Sequence, residues 1–139
     1  MKKVCTYFIS LLVFMFSCDQ KKEISNWKGG KIESPGSYHY DRENLTLNVS
    51  LENDLVRYEL IDSLGNPLLK TKEDINKYQK WALLLDENES LWVLSSDIGN
   101  AWWERDTVTQ TYSYTKIDHL FDQSSIPRNV YSEIKEFFR

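Results

Sequence analysis

Histidine, glycine, proline and cysteine are all scarce in this chain: among 139 residues there are two His, five Gly, three Pro and two Cys. With only His39 and His119, an imidazole-based catalytic or metal site would have to recruit distant carboxylates. Neither His39-Tyr40-Asp41 nor Asp118-His119 with Asp122 has metal-ligand spacing, so both histidines are expected on the surface or in loops. The glycines form no phosphate-cradling loop, and Gly-x-Ser-x-Gly is absent, which removes a strand-to-helix nucleophile elbow. The Ser-x-x-Lys spacing occurs at Ser25/Lys28, Ser113/Lys116 and Ser132/Lys135, but no Ser-Asp-Asn or Lys-Thr-Gly accompanies it. Positive charge is also short, with 17 Lys and Arg against 21 Asp and Glu and a net charge of −4. Nucleic acid needs a basic footprint and is not an expected partner. No metal or other cofactor is expected.

What is present begins at the N-terminus. Met1-Lys2-Lys3 is a short basic start, and Val4 to Phe16 follows without a charged residue. That run is too short to cross a bilayer as a helix, which needs ~20 residues, but it has the size of a signal-peptide core. It ends in Met15-Phe16-Ser17-Cys18, followed at once by Asp19-Gln20-Lys21-Lys22-Glu23. This resembles the lipobox of bacterial lipoproteins of the Bacteroidetes type, with a small residue directly before an obligatory cysteine. Met15 and Phe16 depart from the commonest box, which prefers Leu at the outer position. The resemblance covers the first twenty or so residues. It implies that residues 1–17 are a signal peptide, that cleavage leaves Cys18 as the first residue, and that lipid on Cys18 is the membrane attachment. The implied location is the cell envelope, at the outer membrane, with inner-membrane retention, which Asp19 beside Cys18 favours under enterobacterial sorting, and the periplasmic or surface face left open.

On that reading the mature chain loses Cys5, and its remaining cysteine is occupied by lipid. A disulfide, a thiol nucleophile and a cysteine-ligated metal are then all excluded. Loss of Lys2 and Lys3 takes the formal charge from −4 to −6, a poor match for anionic lipid. All five Trp lie outside the signal, and large rings are how a small domain without disulfides gathers enough buried area.

Residues 18–37 are polar and hold Gly29, Gly30, Pro35 and Gly36, so they read as the lipidated cysteine and a polar tether with an irregular lead-in, which Trp27 interrupts as a residue able to dock on the domain. Residues 38–139 read as a single β-rich domain. Leu45, Leu47, Val49 and Leu51 alternate with Thr46, Asn48 and Ser50, a period of two that marks a strand with one buried face. Glu52-Asn53-Asp54 turns the chain into a return strand, Leu55 to Ile61, and a second turn over residues 63–67 leads to a short strand, Leu68 to Thr71. Thr71-Lys72-Glu73-Asp74 fits a capping box, which predicts one helical turn to Tyr78. Trp81 to Leu85 and Leu91 to Leu94 are apolar runs, and Ala101 to Glu104 and Tyr112 to Ile117 are two further strands. Val130, Ile134, Phe137 and Phe138 then switch to helical spacing, with Pro127 suited to the first turn. The expected fold is mainly β: a small antiparallel β-sandwich or partly open barrel of about seven strands with one C-terminal amphipathic helix.

Leu83 to Gly99, with its acidic turn before Leu91-Trp92-Val93, resembles one hairpin of a β-propeller blade. One copy implies a tight hairpin with a Trp on one strand and no propeller. Oxygens alternate through Asp86-Glu87-Asn88-Glu89-Ser90 as in a calcium loop, but Leu91 and Asp97 stand where Gly and Glu are required, so a solvated turn is expected. Asp62-Ser63-Leu64 and Asp106-Thr107-Val108 resemble short O-glycosylation acceptors of Bacteroidetes-type envelope proteins.

The candidate contact surface is Ser95, Ser96, Asp97, Gly99, Trp102 and Trp103. Adjacent rings on one strand point to opposite faces, so a one-sided sheet would bury one and expose the other, whereas a sheet covered on both sides would cover both. Trp is enriched where proteins bind proteins or sugars. These features predict a non-enzymatic, membrane-anchored binding module with an envelope protein or glycan as partner. A second reading is an inhibitor of a cell-wall-degrading enzyme: membrane-bound lysozyme inhibitors are small β lipoproteins with a Ser/Gly loop beside a strand, which Ser95, Ser96 and Gly99 resemble. This chain lacks the disulfide cysteines common there. A small hydrolase is the third reading and has no constellation behind it.

Overall fold

The computed structural model describes residues 24–26, 30–117 and 123–138. The expected signal peptide, Cys18, Trp27 and the Asp118-His119-Asp122 group lie outside the described residues. Among the described residues, ten strands form two sheets. The first runs β1 (Ile24–Asn26), β2 (Gly36–Tyr40), β3 (Leu45–Glu52), β4 (Leu55–Ile61) and β5 (Pro67–Lys70), with β6 (Ile75–Asn76) also paired to β4. The second is an antiparallel meander of β7 (Trp81–Leu85), β8 (Leu91–Ser95), β9 (Asn100–Arg105) and β10 (Tyr112–Ile117). Helix α1 (Arg128–Ile134) follows and tightens into a 3-10 turn, Lys135–Phe138. The architecture is a small β-sandwich with a C-terminal helix, and no barrel closes among the described residues.

The alternation in β3 is carried into burial. Leu45, Leu47 and Val49 face inward, as do Val56, Tyr58 and Leu60 of β4, while Thr46, Asn48, Ser50, Arg57 and Glu59 face out. Asn53 and Asp54 both take positive φ (50° and 65°), the backbone that a two-residue hairpin needs to match strand twist. The second sheet obeys a different rule. Every residue of β7 and β8 is buried. Trp81, Leu83, Leu85, Leu91, Val93 and Trp103 pack against the first sheet. Ala82, Leu84, Trp92 and Leu94 pack on the other side against Ile126, Val130 and Ile134. The molecule is therefore three layers deep, and its middle layer reads as unbroken apolar runs because both its faces are dry.

Three expectations are corrected. The first concerns the tether, which does not extend to residue 37. Ile32 is 2 % exposed and exchanges two backbone hydrogen bonds with Leu83, at 2.8 and 2.9 Å. Ser37 is buried, and β1 pairs in parallel with β2. The second concerns Thr71, which does not cap a helix. Its Oγ1 donates to the Tyr58 carbonyl at 2.9 Å and also accepts the Tyr58 N–H. This extends the pairing on β4, and fully buried Ile75 then adds as β6 beside Val56; burial outweighs a weak helical preference. The third concerns Pro127, which sits one place before α1 with φ −54° and ψ 139°, rather than within its first turn. The strand total exceeds seven because β1, β2 and β6 are short pieces in polar sequence.

Candidate functional site

The Ser95–Gly99 segment is the turn between β8 and β9, and its polar groups bond within the turn and to the neighbouring residues Asn76 and Lys80. The Ser95 hydroxyl donates to Asp97 Oδ1, which also accepts the Ile98 N–H at 2.8 Å. The Ser96 hydroxyl accepts the Lys80 N–H at 3.2 Å, and the Ser96 N–H returns to the Lys80 carbonyl at 2.9 Å. Burial opposes the charge on Asp97, but the Ser95 hydroxyl and the N–H groups of Asn76 and Ile98 outweigh it and hold its pKa below the usual carboxylate range. Gly99 supplies the positive φ (81°) that closes the turn. Asn100 ties it to the C-terminus through a 3.2 Å bond to the Phe137 carbonyl.

Trp102 and Trp103 leave that turn on opposite faces of β9, and both faces are covered. Trp103 is 6 % exposed in the inter-sheet core, so it presents no ring to a partner. Its Nε1 donates to Tyr58 Oη at 3.0 Å, and Tyr58 Oη donates to Glu73 Oε2 at 2.7 Å. Burial pushes the Tyr58 hydroxyl far above its ordinary pKa, and it stays protonated. The Lys72 ammonium lies 5.0 Å from the Trp103 ring centre and 5.2 Å from that of Tyr114.

Trp102 is half-buried and meets Trp92 edge to face, with ring centres 4.7 Å apart. Register places the two rings directly opposite on β8 and β9. Here the helical layer ends, and a pocket of about 180 Å³ opens, lined by Asp86, Asn88, Ser90, Trp92, Trp102, Glu104 and Pro127. Its fixed point is Asp86, 7 % exposed. Asp86 Oδ1 accepts the N–H groups of Asn88 and Ser90, and Oδ2 accepts the Trp92 indole N–H, all at 2.9 Å. These bonds take up both carboxylate oxygens of Asp86. Among the described residues no group of three His, Cys, Asp or Glu side chains is placed to hold a metal ion.

A second, more open hollow of about 360 Å³ lies on the polar face of the first sheet, among Asn48, Ser50, Arg57, Glu59 and Lys70. Its charges are already paired: Lys70 with Glu59 at 3.1 Å and Arg57 with Asp74 at 2.9 Å. His39 sits on the same sheet, its Nδ1 3.1 Å from Thr46 Oγ1 and its Nε2 3.4 Å from Asp41. Ser113 and Lys116 are three apart on β10 and so leave opposite faces. The Asp62 and Asp106 turns are exposed and alike. In each, Asp Oδ1 accepts the N–H two residues on, at 2.9 and 2.7 Å. The Asp62 carboxyl is held low chiefly by the Asn66 side chain, and that of Asp106 by the Thr109 N–H.

The structure thus separates the six sequence candidates. Ser95, Ser96, Asp97 and Gly99 form a turn at one end that is tied to Asn76 and Lys80, Trp103 is core, and Trp102 belongs to a pocket with Asp86, Asn88 and Glu104. Glu104 shares the Trp102 face of β9, two residues on, but only the β8–β9 register brings Asp86 and Asn88 beside Trp102. No described helix is long and apolar enough to cross a membrane. No family model matches the chain, and comparison with curated proteins and with solved structures gives no match.

Proposed function

We propose that this chain is an envelope lipoprotein, anchored through lipid on Cys18, whose β-sandwich is a non-catalytic binding module. The anchor is supported by Lys2-Lys3, the uncharged run to Phe16 and Ser17-Cys18. The binding role is carried by one observation: a concave patch in which the half-exposed Trp102 ring, backed by Trp92, lies beside Asp86 and Glu104. A preformed hollow with an aromatic floor and a few fixed polar groups is the usual form of a recognition site. The outer membrane is the proposed location, and an envelope protein or glycan the proposed partner class. The inhibitor reading draws less support, because the hydroxyls of Ser95 and Ser96 are already engaged within the fold, by Asp97 and by the Lys80 N–H.

Two measurements test the proposal. A fatty-acid analogue fed to cells should label the wild-type chain and not Cys18→Ala; equal labelling would remove the anchor. The full chain should capture an envelope component that Trp102→Ala, checked for folding, does not. Capture undiminished in that variant would move the binding surface away from the pocket.

A further inference from the structure

Strand β9 carries two indoles, one to each face, and the structure shows what the inner one accepts. Trp103 and Tyr114 stand edge to face with centres 5.2 Å apart. The ammonium of Lys72 lies within 5.2 Å of both rings, and the Glu73 carboxylate belongs to the same cluster. An aromatic face attracts a cation through its quadrupole, and a neighbouring carboxylate adds to that attraction. The outer indole has a matching environment. Trp102 and Trp92 stand edge to face at 4.7 Å, and the pocket above them is lined by the carboxylates of Asp86 and Glu104. Among the described residues, no basic side chain lines it.

We propose that the Trp92–Trp102 pocket receives the side chain of a lysine presented by a partner protein. The proposal rests on the binding-module reading and names its ligand chemistry. The pocket's volume of about 180 Å³ suits one long side chain rather than a peptide segment. The chemistry of the lining selects among side chains. Two carboxylates, with no basic side chain among the described lining residues, favour a cation over a neutral sugar or an apolar residue, and the half-buried Trp102 ring, backed by buried Trp92, offers contact to an aliphatic stem as well as to its charged head. Asp86 is held by three N–H donors and sets the field, while Glu104 is exposed at the rim and can move to meet the ammonium.

The test uses the full chain in detergent, isotope-labelled, with the indole N–H resonances of Trp92 and Trp102 followed by NMR. The probe is Nα-acetyl-lysine methylamide, and its Nε-acetylated, uncharged form is the control. Saturable shifts of both indoles by the charged probe at millimolar concentration, weakened by salt and absent with the control, are the expected result. Glu104→Gln leaves the hydrogen bonds of Asp86 in place and should raise the half-saturating concentration about three- to fivefold. Equal shifts from the neutral control would make the pocket an apolar site and overturn the proposal. Shifts from methyl N-acetylglucosaminide alone would overturn it in favour of a glycan, and tighter binding of n-butylammonium would assign the pocket to a free amine. No shift from any probe would remove the pocket as a site. None of these results alters fatty-acid labelling or partner capture, so failure here is distinguishable from failure of the binding module itself.

Discussion

Asp86 shows how much of this fold can depend on one side chain. It closes the β7–β8 turn by accepting two backbone N–H groups, and it orients Trp92 by accepting a third donor. Removing a buried acceptor strands its donors, which costs more than the bond contributed. Asp86→Ala should lower stability by ~2–4 kcal/mol in urea unfolding, while Asp86→Asn, which keeps an acceptor oxygen, should lose less. A loss below about 0.5 kcal/mol for the alanine variant would show that the turn holds without it. Trp103 makes the complementary point inside the sandwich, where the chain from its indole through Tyr58 to Glu73 matches both buried donors, the indole N–H and the phenol O–H. The Asp86 network lies within residues 86–92 of one hairpin, whereas the Trp103–Tyr58–Glu73 chain joins distant segments and is not visible in sequence.

Among the elements, α1 is the piece whose attachment mixes both kinds of force. Val130 and Ile134 are buried against β7 and β8, and the 3-10 turn that follows is pinned by charge. Glu136 meets Lys31 at 2.5 Å and Lys80 at 3.1 Å. Bonding to Lys31, then to Lys80, holds the Glu136 carboxyl below its usual pKa. A carboxylate with a depressed folded pKa contributes stability above its unfolded value, ~4.3, and loses that contribution as pH falls through the lower folded value. Acid should therefore loosen the C-terminal turn, read as faster amide exchange in residues 135–138, before the sheets unfold. In Glu136→Gln that acid step should vanish; a step that persists would assign it to another carboxylate. The apolar spacing from Val130 onward predicted this helix. The predicted turn after Thr71 failed because a buried Ile75 and an edge on β4 outweighed a capping signal four residues long.

At the scale of the whole molecule, the correction to the tether has the largest consequence. Ile32 seals the free edge of β7, and β1 and β2 extend the first sheet, so the N-terminal lead-in is structural. A chain begun at residue 38 should be less stable than one begun at residue 24 by more than ~2 kcal/mol, since it gives up buried Ile32 and its two hydrogen bonds. Equal urea midpoints for the two would restore the tether reading. Local pattern determined much of the rest. A period of two set the buried faces of β3 and β4, apolar runs marked β7 and β8, and helical spacing marked α1, because each signal lies within one element and answers to one solvent boundary. Only the tertiary structure decided that the second sheet is covered on both faces, that Trp103 is core, and that Trp102 shares a pocket with Asp86 and Glu104. Those outcomes depend on which strands become neighbours, and that choice is made by the packing of distant segments, which no local window of sequence contains.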